Sequence, residues 1–161
     1  MVRQQCPVSL QKYGFCGLLA TVYAARLPMP SSVNNLTNLL EEVKTILSLG
    51  KGKWGKTKPK HTGSISLDST LTLLDHYKAC EYEVARLEAK PSLTKWLKSV
   101  ETNTCYIVHL AKHAYFVEVG SVKSKWRVYD QGGVYTKNKS GAMERLYGRK
   151  KVKTVIKIIY N

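Results

Sequence analysis

Apolar and polar positions follow two rhythms along this chain, and the change from one to the other falls near Thr104. In the first part the spacing is helical. The run FCGLLATVYAA, Phe15 to Ala25, is apolar at Leu18, Leu19, Val22, Tyr23 and Ala25, which predicts a largely buried helix with Cys16 in its first turn. Pro28 and Pro30 end it. Ser31 or Ser32 caps a second helix through VNNLTNLLEEVKTILSL, with Leu36, Leu39, Leu40, Val43 and Leu47 on one face, and the two helices are expected to form a hairpin. Ser66 or Asp68 caps a third through Leu71, Leu74 and Tyr77, and the alternating YEVARLE that follows reads as a short strand. Pro91 and Ser92 open a further helix around Leu93, Trp96, Leu97 and Val100.

Beyond Thr104 the rhythm becomes that of strands. TCYIVHL, HAYFVEVGS, KWRVYDQ and VKTVIKIIY are rich in Val, Ile, Tyr and Phe, with Gly, Lys and Ser between them, and predict an antiparallel sheet. Helices followed by sheet make an α+β arrangement, N-terminal helices packed on a C-terminal antiparallel sheet. A length of 161 residues suits one domain over 1–161, with a basic, insertion-like loop at about 50–63.

Composition narrows the class. No apolar run approaches the roughly 20 residues a membrane helix requires, so a soluble chain with no membrane contact is expected. Met1 to Leu10 lacks the apolar core of a signal peptide, which points to a location inside a cell or a virus particle. The cysteines Cys6, Cys16, Cys80 and Cys105 form no CxxC pair and no zinc-finger spacing with histidine. No metal or other cofactor is therefore expected, and Cys80 and Cys105 read as plain buried thiols.

Charge adds a second theme. The chain carries 26 Lys plus Arg against 11 Asp plus Glu, a net charge of +15, enough to draw it toward nucleic acid or another polyanion. The excess is clustered. Lys51, Lys53, Lys56, Lys58 and Lys60 crowd one loop around Trp54, an aromatic among cations of the kind that holds single-stranded nucleic acid. Arg145, Arg149, Lys150, Lys151, Lys153 and Lys157 crowd the C-terminal end. A solvated, solubilising surface is the competing account of both clusters.

The candidate chemistry begins at Cys16. A thiol attacks a carbonyl as its thiolate, so a nucleophilic cysteine gains from a helix N-terminus and from a nearby base. Gly14 and Gly17 flank Cys16 and leave room for a substrate backbone, with the Cys16 amide as an oxyanion donor. His113 opens the strand HAYFVEVG, and Asp130, 17 residues on, closes WRVYD; two antiparallel strands joined by the turn at Ser121 to Lys125 would bring their ends together. His109 lies within the preceding strand, where a buried or edge position is expected rather than a catalytic one, while His76 lies in a helix and His61 in the basic loop, neither followed by a well-placed acid.

These residues carry a resemblance. The segments YGFCGLLATVYAA, LTLLDHYKACEYEVARLEAKPSLTKWL and TCYIVHLAKHAYFVEVGSVKSKWRVYDQGG resemble, in order and pattern, the papain-like cysteine peptidases, and among them the leader-removing peptidases of bacteriocin exporters that cut after double-glycine motifs. The resemblance covers about Gln11 to Gly133 and implies a papain-like fold, a triad of Cys16, His113 and Asp130, and a polypeptide substrate. It also implies that Gln11, one residue nearer the nucleophile than the family's glutamine, helps to hold the oxyanion. The family usually has Asp before the nucleophile and Pro after the triad Asp, where this chain has Phe15 and Gln131. The helix start further resembles that of NlpC-type cell-wall peptidases, whose Cys-to-His interval is shorter. The alternative expectation is a catalytically retired papain fold, such as a minor virion component, that binds nucleic acid or the subunits of a large assembly through its basic surface.

Overall fold

The computed structural model of the chain describes residues 3–47, 65–111, 113–137 and 150–160. Among the described residues four α-helices precede or interrupt the strands: α1 (Cys16–Ala24), α2 (Val33–Ile46), α3 (Leu67–Tyr77) and the single-turn α4 (Leu93–Trp96), which continues as a 3-10 turn over Leu97–Ser99. Six strands, β1 (Glu81–Arg86), β2 (Cys105–Leu110), β3 (His113–Val119), β4 (Trp126–Asp130), β5 (Gly133–Thr136) and β6 (Val152–Ile159), form one sheet in the order β1-β6-β2-β3-β4-β5. All its pairings are antiparallel. The architecture is α+β.

Local chemistry explains the helix starts. The side chains of Ser32, Ser66 and Ser92 accept hydrogen bonds from the N–H groups of Asn35, Ser69 and Lys95, each satisfying a donor that the first turn leaves open. α1 has no such cap. Its residues from Gly17 to Ala24 are all buried, so packing rather than capping or amphipathicity holds it.

Alternation along the strands divides the interior into two cores. One face of the sheet, with Ile107, Ala114, Phe116, Tyr129, Ile156 and Ile158, packs against α1 and shares one core with α2 and α3. The other, with Val108, Tyr115, Val117, Trp126 and Val128, is covered by Leu93, Trp96, Leu97 and Val100. The helix opened by Pro91 and Ser92 thus lies on the opposite face from the first three. Gly17 lets the chain at Ile65 lie close over the start of α1, because a Cβ there would stand 2.9 Å from Ile65 Cγ1 and 3.2 Å from its backbone nitrogen.

Three expectations are corrected. α1 and α2 do not form a hairpin; α3 is the helix packed on α1, and α2 packs in turn on α3. The sheet has a strand, β5, beyond the runs the sequence predicts: its four residues are all half-buried and follow Gly132. Cys80 and Cys105 are only half-buried, and the fully buried thiol is Cys6, at 3 % exposure beneath the N-terminal turn. The whole of the predicted loop at 50–63, with Lys51, Lys53, Trp54, Lys56, Lys58, Lys60 and His61, lies outside the described residues, as do Arg145 and Arg149. No helix among the described residues is long and apolar enough to cross a membrane.

Candidate active site

The site assembles where the first residue of α1 meets the start of β3 and the end of β4. Phe15, at 0 % exposure, is the N-cap residue of α1 and anchors the chain just before the nucleophile candidate. Cys16 is therefore presented at the positive end of a helix, half-buried, and its amide is among the first N–H groups that lack an intrahelical partner.

The β3–β4 ladder pairs Phe116 with Tyr129, so continued in register it sets Asp130 opposite Tyr115 and diagonal to His113 on the same face. His113 Nε2 lies 2.7 Å from Asp130 Oδ1, and the carboxylate is 6 % exposed. The ring also stands edge-on to Tyr115, with centroids 4.5 Å apart. With Nε2 directed at Asp130, Nδ1 is the ring nitrogen that remains, and Cys16 is near enough for His113 to act on its ionisation through hydrogen bonding and charge.

The electrostatics favour an ion pair. Burial opposes ionisation of the Cys16 thiol, but the hydrogen bond and charge of His113 and the N–H of Ala114 outweigh both burial and the repulsion from Asp130, holding the thiol below its ordinary range. Burial likewise opposes the charged form of His113, yet its bonds to Asp130 and Cys16 push its pKa up to about 9. Both shifts lean the pair toward thiolate beside imidazolium. The other cysteines go the opposite way: burial drives Cys6 to about 11, with the Asp130 charge adding to it, and burial raises Cys80 and Cys105.

The remaining candidates are not drawn into this cluster. Gln11 donates its side-chain amide to the Cys6 carbonyl at 3.2 Å. His109, on β2, has an Nε2 that is buried without a hydrogen-bond partner, and burial lowers its pKa. His76 stacks edge-on with Tyr77 on α3. Lys150 and Lys151 are exposed beside α4, where the Lys150 carbonyl accepts from Leu93 N–H and Lys151 bridges to Ser92. No cluster of metal-ligating side chains occurs among the described residues.

Two features were not assigned a role by the sequence reading. Gln131, 8 % exposed, accepts from Phe15 N–H at 3.2 Å and donates to the carbonyls of Leu10 at 3.1 Å and Gln11 at 3.2 Å. Its only signal in the sequence is that it departs from the family's pattern. The second is an open groove of about 1160 Å³ at the far end of β3 and β4, bordered by Arg3, Arg26, Lys125, Arg127 and Lys137 with Glu118 among them. Glu118 Oε2 pairs with Arg3 at 3.0 Å and Oε1 with Arg127 at 3.9 Å, and the Arg26 guanidinium lies 3.7 Å over the Tyr160 ring. These cations come from separate stretches of chain, so no run of basic residues announces them.

No family model matches the chain, and no curated protein matches it. A solved structure, the crystal structure of the peptidase domain of Streptococcus ComA, a bi-functional ABC transporter involved in a quorum-sensing pathway, aligns over 98% of this chain and 97% of that chain, with a TM-score of 0.49 and 12% sequence identity.

Proposed function

We propose that the chain is a divergent papain-like cysteine peptidase acting through Cys16, His113 and Asp130. What supports this reading is a thiol at a helix start whose pKa His113 holds below the ordinary range, together with a His113 ring bonded at 2.7 Å to the buried Asp130 carboxylate. The Cys16 thiolate attacks the carbonyl carbon of a peptide or isopeptide bond, and the C=O electron pair moves onto oxygen. The Cys16 amide holds that oxyanion, and Gln11 joins it only if its side chain leaves the Cys6 carbonyl. As the tetrahedral intermediate collapses, the carbon–nitrogen bond breaks and imidazolium gives its proton to the leaving amine. His113 then takes a proton from water, which attacks the thioester and returns the thiol; an amine in place of water would make the same cycle an acyl transfer. Asp130 keeps the ring in the orientation this exchange needs.

The test is site mapping with a peptidyl acyl electrophile at pH 7, read by mass spectrometry. Modification confined to Cys16 is expected, since its thiol alone among the four is held below its ordinary pKa. Labelling spread over Cys80 and Cys105, or absent, would remove the reading.

A second reading, polyanion binding, is favoured by the groove bordered by Arg3, Arg26, Lys125, Arg127 and Lys137. It is independent of the thiol chemistry. Titration of a fluorescent single-stranded oligonucleotide at rising salt is expected to give an affinity that falls with salt, with a log–log slope of about −0.7 for each phosphate neutralised. Binding that ignores salt, or no binding at low salt, would eliminate this contact.

A further inference from the structure

We infer that Gln131 is a positioning residue whose carboxamide fastens the loop before the nucleophile to the end of β4 and thereby sets the spacing between Cys16 and His113. The role it assigns rests on the peptidase reading, but the geometry stands on its own. Leu10 and Phe15, the two ends of the loop that leads into α1, are both at 0 % exposure. One side chain grips both ends. Gln131 Oε1 takes the Phe15 N–H, while Nε2 gives its two protons to the carbonyls of Leu10 and Gln11. A carboxamide offers two donors and an acceptor, and all are used here.

The position of Gln131 in the chain matters as much as its bonds. Asp130 pairs with Gly133 across the β4–β5 ladder, so Gln131 and Gly132 form the two-residue turn between these strands. Consecutive residues therefore hold the two arms of the site: Asp130 orients His113, and Gln131 holds the loop that ends at Cys16. Phe15 and Gln131, two of the positions at which the chain departs from the family pattern, are joined by one hydrogen bond from the Phe15 backbone. The Phe15 N–H also reaches the Tyr13 carbonyl at 3.1 Å, so losing Gln131 leaves that donor a weaker share of partners and strips a partner from two carbonyls inside the fold. Freed from β4, the loop would let Cys16 drift from His113, and displacements of about an ångström cost such sites on the order of 100-fold in rate.

Gln131→Met keeps the side-chain length and removes all three bonds. In the folded full-length protein, the pH dependence of Cys16 alkylation by iodoacetamide, followed on the Cys16 peptide by mass spectrometry, is expected to move up by about one pH unit. Alkylation at pH 6 then slows roughly three- to tenfold, because loss of thiolate is partly offset by greater nucleophilicity. The rate at Cys80 should not change. Val43→Ala, which weakens the core from α2, is the control for general destabilisation and is expected to leave the Cys16 profile in place. A superimposable profile in folded Gln131→Met, or an equal shift in Val43→Ala, overturns the inference. Gln131→Ala is measured in the same way if Gln131→Met does not fold, and if neither folds, Gln131 serves folding and the inference is overturned as well. The readout uses no peptide, so failure to find a cleavable substrate counts against the peptidase reading alone.

Discussion

A Cys16→Ala protein is expected to keep its fold and to lose peptide cleavage by roughly four to six orders of magnitude, the scale on which a triad nucleophile is worth its place. Folding should survive because the change removes one half-buried sulfur from the first turn of α1, and alanine is the best helix former. A melting temperature within a few degrees of the parent would establish this. No other thiol can substitute. Cys6 also feels the Asp130 charge, but it is 3 % exposed, its thiol faces the Pro7 carbonyl at 3.7 Å, and its pKa is pushed up to about 11. Cleavage of a peptide library, read by mass spectrometry, is the measurement. Products formed by Cys16→Ala at the parent rate would end the assignment.

The second large effect is expected at His113. His113→Ala should lower kcat/KM by roughly 10³- to 10⁴-fold, because one group is lost both as the partner of the thiolate and as the acid for the leaving amine. The pH profile gives a more specific signature. In the parent the productive pair needs Cys16 ionised and His113 protonated, so the rate rises as the lowered thiol titrates and falls as pH passes the His113 value of about 9. The variant should lose that alkaline limb. Its Cys16 thiol should titrate higher, since burial and Asp130 both oppose ionisation once the imidazolium is gone. An alkaline limb that persists near pH 9 in His113→Ala would place the titrating group elsewhere.

Much of the fold was legible because its strongest elements are locally consistent. The uncharged run from Phe15 to Ala25 suits a buried helix, and the branched, aromatic runs after Thr104 suit strands with both faces covered. The serines at 32, 66 and 92 marked their helix starts for a direct chemical reason. β5 was not legible. Glycines at 132 and 133 and only four residues give a strand no periodicity to display. Packing partners were hidden too, since an amphipathic pattern on α2 tells which side is buried but not against what. For the site, the interval from His113 to Asp130 is a hairpin length and could be read as one. The bonds of Gln131 and the engagement of Gln11 with Cys6 depend on how a loop folds back, which no spacing encodes.

The sheet order carries a consequence for how the chain acquires its reactivity. β6, the last strand in sequence among the described residues, lies between β1 and β2, and it is the strand with which β1 pairs. Its Ile156 and Ile158 complete the core under α1, and Tyr160 just beyond it donates to the Ala24 carbonyl at 2.8 Å. Cys16, His113 and Asp130 are thus all synthesised before the strand that seats the helix carrying the thiol. A nascent chain ending at β5 has the three side chains but leaves β1 without its partner and one core open, and its long-range pairing cannot yet close. On the proposed peptidase reading, seating of the thiol-bearing helix against His113 therefore awaits the pairing of β6, after all three site residues are already in the chain.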